Sequence, residues 1–60
     1  MDAQDWDRIG DLLMQIRGKV DNLAPKTESG DFWRQYQLDL IAVLLVNTDR
    51  LAKMDNEGWL

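Results

Sequence analysis

Neither cysteine nor histidine occurs in this 60-residue chain. The first absence removes disulfides and thiolate chemistry, and the second removes the commonest general base and the commonest metal ligand together. A chain of this length buries only roughly 60% of its unfolded surface, so without those staples association with a further chain is the remaining route to stability. Long apolar runs are missing as well. The longest stretch without a charged residue, 40–48, is about half of the ~18–20 residues a membrane-spanning helix needs. The beginning of the sequence is acidic where a secretory leader carries positive charge, so the expected location is the cytoplasm, with no membrane partner. Basic residues are few: seven against eleven acidic ones, for a net charge of −4. That balance favours solubility and argues against nucleic acid as the default partner.

The single proline, Pro25, lies in the only concentration of turn residues, A-P-K-T-E-S-G at 24–30. It divides the chain into two helical segments and predicts one hairpin domain: helix 1 over about 2–23, a loop at 24–30, helix 2 over about 29–55 and a tail at 56–60. Asp2 is the expected N-cap of helix 1. Thr27 and Ser29 both offer a cap to helix 2, and Asn56 and Gly58 both offer it a stop. In helix 1, Trp6, Ile9, Leu13, Ile16, Val20 and Leu23 are spaced 3, 4, 3, 4 and 3, the seam of three heptads, with Leu12 widening one edge. At 100° per residue they occupy an arc of about 120°, one stripe to be buried.

Helix 2 differs in kind. Trp33, Tyr36, Leu40, Val43, Leu44, Leu51 and Met54 lie on one face, Leu38, Ile41, Leu45 and Ala52 on the adjoining one, together about 200° of arc. Helix 1 can cover one of these faces, which leaves an apolar surface too large for a soluble monomer. The expected fold is therefore all-α, an antiparallel helical hairpin that homodimerises into a four-helix bundle with helix 2 central. The interface residues are Trp33, Tyr36, Leu38, Leu40, Ile41, Val43, Leu44, Leu45, Asn47, Leu51 and Met54. Asn47 interrupts the wider face, either as a buried residue that sets register or as a solvated residue at the bundle's edge.

Catalysis finds no constellation. The hydroxyls Thr27, Ser29 and Thr48 have no histidine base in the chain, and the first two are explained as loop and cap residues. Asp7 and Asp11 lie one turn apart, but two carboxylates without a glycine-bearing calcium loop describe a solvated helix back, and no phosphate-cradling loop is present. No cofactor and no metal are expected. Short hairpins that dimerise into four-helix bundles include RNA-binding regulators of the Rop type, which this chain resembles in architecture without a residue-level match. An RNA-binding use of the outer helix faces would lean on Arg8 and Lys19. Three tryptophans in so short a chain favour protein contacts instead. Phe32, Trp59, Met14 and Arg17 fall off the seams and complete the candidates for partner binding. The expected function is that of a small non-catalytic adaptor or inhibitor, of a kind found among phage and bacterial regulators, which docks on an unidentified protein. An RNA-binding regulator is the alternative, with an oligomer that sequesters a small ligand behind it.

Overall fold

The computed structural model describes residues 3–59. They form two helices, α1 (Ala3–Asp21) and α2 (Glu28–Asn56), packed against each other along a body 46 Å long and 15 × 10 Å across. The pairing is antiparallel, tied at each end by a polar contact. At the open end the Trp6 indole N–H donates to Asp55 Oδ2 at 2.9 Å. At the loop end the Arg34 guanidinium donates to the Asp21 carbonyl at 3.2 Å and to Asp31 Oδ1 at 3.0 Å, with Asp21 Oδ1 at 3.5 Å.

Local chemistry sets the helix ends. The expected cap at Asp2 lies outside the described residues. α1 stops at Asp21, two residues short of the expected Leu23, where the Leu23 N–H donates to the Val20 carbonyl in a tightened last turn ahead of Pro25. Of the two possible caps of α2, Thr27 is the one used. It has extended backbone, and its Oγ1 accepts the Gly30 N–H at 3.0 Å. Glu28 and Asp31 then place carboxylates in the first turn, at the positive end of the helix dipole. At the other end Gly58 takes φ +83°, its N–H donates to the Asp55 carbonyl, and the Trp59 N–H reaches back to the Met54 carbonyl at 2.8 Å. That pair of bonds is a Schellman stop, which glycine adopts without a Cβ penalty.

The contact between the helices uses a narrower set of side chains than the apolar pattern suggests. From α2 it takes Arg34, Leu38, Ile41, Leu45, Thr48, Ala52 and Asp55, all buried or half-buried and spaced alternately by four and three. α1 answers with Trp6, Leu13 and Val20. Ile9, Ile16, Leu12 and Leu23, all expected in the buried stripe, are instead 38%, 46%, 56% and 61% exposed. One neighbouring helix shields only part of a 120° stripe, and the Trp6–Asp55 bond rolls α1 so that the edge bearing Trp6 and Leu13 faces inward. The result is a very small interior. Among the described residues Ile41, at 2% exposure, is the sole buried apolar side chain, and Thr48, at 8%, the sole buried polar one.

Candidate interaction face

Among the described residues fourteen large apolar side chains are exposed, and their directions decide what they can do. At 100° per residue, Ile9, Leu12 and Ile16 project about 60–120° to one side of the line from α1 to α2. Trp33, Leu40, Leu44 and Leu51 project about 70–110° from the reverse line, with Tyr36 and Met54 further round. Because the helices are antiparallel, these two rotations point the same way. Ile9, Leu12, Ile16, Trp33, Leu40 and Leu44 therefore share one broad face of the hairpin, while Met14 and Val46, also exposed, project to the other side. On the opposite side lie Asp7, Gly10, Asp11, Met14 and Asp49, which line a shallow hollow of about 580 Å³ between the helices. The hairpin is thus two-sided as a whole, with a polar surface backing an apolar one.

The structure divides the expected interface residues. Leu38, Ile41 and Leu45 are turned toward α1 and occupied there. Trp33, Tyr36, Leu40, Leu44 and Met54 remain exposed on the open face, Leu51 on the same side is half-buried, and Val43, 65% exposed, lies at the outer edge. Asn47 is exposed on that same face between Leu44 and Leu51. Near the loop a ring cluster runs from this face onto the outer surface of α2, where Phe32 lies: Phe32 meets Trp33 edge-on at 5.3 Å, Trp33 meets Tyr36 edge-on at 5.8 Å, and Phe32 stacks over Tyr36 at 6.4 Å. Beside it Val20, Leu23, Ala24 and Pro25 join Trp33 around a hollow of about 460 Å³.

The candidates for partner binding are exposed but dispersed. Phe32 belongs to the ring cluster. Trp59 is 73% exposed, and its indole N–H donates to Glu57 Oε2 at 3.0 Å within its own tail. Arg8 and Lys19 are separate points on the outer surface of α1, while Met14 and Arg17 line the polar side beside Gly18 and Asp21. Among the described residues no group of three carboxylates is placed to hold a metal ion, and no helix is long and apolar enough to cross a membrane.

No family model, no curated protein and no solved structure matches the chain.

Sequence reasoning passed over Arg34 and Asp55, which tie the two helices together, and treated Thr48, buried between them, only as a hydroxyl without a base. Their positions continue the alternation of four and three that runs through Leu38, Ile41, Leu45 and Ala52. Periodicity could have found them, since residue type hides them.

Proposed function

We propose that this protein acts by binding, as a small adaptor or inhibitor that docks on a macromolecular partner and occludes or bridges it. It does so as a homodimer, two hairpins closing apolar face on apolar face into a four-helix bundle. The observation that carries this reading is the broad apolar face of a hairpin whose described interior contains a single buried apolar residue. Ordering each backbone residue costs about 1–2 kcal/mol, which one buried isoleucine and a half-buried seam offset poorly. The hairpin's outline, 46 Å by 15 Å, gives room for an interface on the order of the ~800 Å² per partner of a standard one, and soluble monomers usually keep contiguous apolar patches to a few hundred Å².

Closing that face leaves Phe32, Trp59, Arg8, Lys19, Met14 and Arg17 for a partner. Desolvated aromatic anchors suit a protein target, so Phe32→Ala or Trp59→Ala would cost ~2 kcal/mol or more in affinity with helicity and mass unchanged. If the partner were structured RNA, Arg8→Glu with Lys19→Glu would abolish binding, and the complex would weaken steeply with salt. Light scattering at micromolar concentration tests the assembly: a stable, helical 7 kDa monomer refutes it. A pull-down from lysate with and without nuclease separates the protein target from the RNA.

A further inference from the structure

The open face of α2 has a spacing that reads the same in both directions. Positions 33, 36, 40 and 43 are mirrored by 54, 51, 47 and 44, so the mirror point falls between Val43 and Leu44. Heptad spacing always has such a point, and its location is what carries information. It lies within two residues of the middle of α2 (Glu28–Asn56), so a reversed copy laid on this helix covers almost its whole length without overhang. It is also oriented correctly. A two-fold axis through it leaves α2 about 120° from the direction of α1, which is through the exposed face.

Charge separates the two ways of stacking the hairpins. In the open-end half, residues 3–14 and 44–59 hold six acidic and three basic side chains. The loop-end half, 15–43, holds four of each. Stacking with both loops at one end sets two acidic halves side by side, whereas stacking with loops at opposite ends sets each acidic half against a neutral one.

We propose that the occupant of the apolar face is a second copy of this chain with its loop at the opposite end, α2 lying antiparallel on the second copy's α2 about a two-fold axis near Val43 and Leu44. This rests on the homodimer proposed above and adds its geometry. The contact is isologous, so each interaction occurs twice. The bulky Trp33 of each copy falls beside the flexible Met54 of the other. Asn47 falls beside Leu40, displaced from its own counterpart.

A chain without cysteine allows a clean test. A spin label on Lys26→Cys, exposed in the loop, reads the separation of the two loops in the full-length protein. At 1.5 Å per residue along two half-helices, loops at opposite ends lie about 50 Å apart, whereas loops at one end lie about 20 Å apart. Heterodimers labelled at Lys26→Cys on one chain and Glu57→Cys on the other invert the expectation, with a short distance for the antiparallel seat. The long loop-to-loop distance together with the short mixed distance is the expected result. A short loop-to-loop distance in a particle of dimer mass overturns the orientation and leaves the homodimer standing. A monomer by light scattering overturns both.

Discussion

Gly10 and Gly18 sit inside α1, where glycine is about 0.8–1.0 kcal/mol less favourable than alanine. Neither has a visible reason to be glycine. A Cβ built on either meets nothing within 4 Å, and both face the polar side of the hairpin, away from the surface assigned to the second copy. Gly10→Ala and Gly18→Ala should therefore each stabilise the fold, by stiffening the unfolded chain as much as by favouring the helix. The pair should gain about 1.5–2 kcal/mol, which at ~4–8 °C per kcal/mol for so small a domain raises the melting temperature by roughly 6–16 °C. Thermal melts followed by circular dichroism at one fixed chain concentration measure it, because the midpoint of an associating protein moves with concentration. Gly30→Ala is the contrast: its Cβ would lie 3.1 Å from Pro25 Cβ and 3.4 Å from Thr27 Oγ1, so Pro25 must give by a few tenths of an ångström and the gain should be smaller than in either α1 variant. A lowered midpoint in either α1 variant, or a changed oligomer, would show that a chain packs closely on the polar side and that the apolar face is not the assembly surface.

Asn47→Leu should raise the melting temperature and broaden the distribution of oligomers, since the antiparallel seat presses Asn47 on Leu40; an unchanged midpoint and a single unchanged species in native mass spectrometry would make it a solvated edge residue. Asp55→Ala and Trp6→Phe each remove one partner of the bond at the open end and should each cost about 1 kcal/mol. Amide exchange should quicken first near Trp6, and a double mutant no worse than either single would identify the bond as the shared cause. Thr27→Ala should cost about 1 kcal/mol in urea denaturation while Thr27→Ser costs little, and an unaffected Thr27→Ala would mean that Ser29 has taken over the cap.

Two helices, their turn and their polar ends could be read from the sequence because each depends on local chemistry. Pro25 breaks the first helix, the heptads of α1 need no tertiary knowledge, and the ends of α2 were legible as two pairs of candidates, Thr27 or Ser29 and Asn56 or Gly58, between which the sequence does not choose. The roll of α1 about its own axis was not readable in the same way. Trp6 and Ile9 are equally apolar, and only the partnership of Trp6 with Asp55, 49 positions away, selects which edge turns inward. Arg34 was equally hidden. A guanidinium at a seam position looks like an interruption until the Asp21 carbonyl and the Asp31 carboxylate are seen around it. The candidate interaction face could be read in kind, from the excess of apolar arc on α2. Its division between α1 and open surface had to come from the packing.

An interior in which Ile41 is the one buried apolar side chain among the described residues also bears on how long such a chain survives. A protein with a larger core can wait, folded, for its partner; a hairpin closed over one side chain has little to keep a protease from its backbone. If the second copy supplies the missing cover, newly made chains are most vulnerable when scarce and become durable as they accumulate. Lifetime would then rise with abundance, and the protein would disappear abruptly once synthesis stopped, because each chain lost exposes the one it was covering.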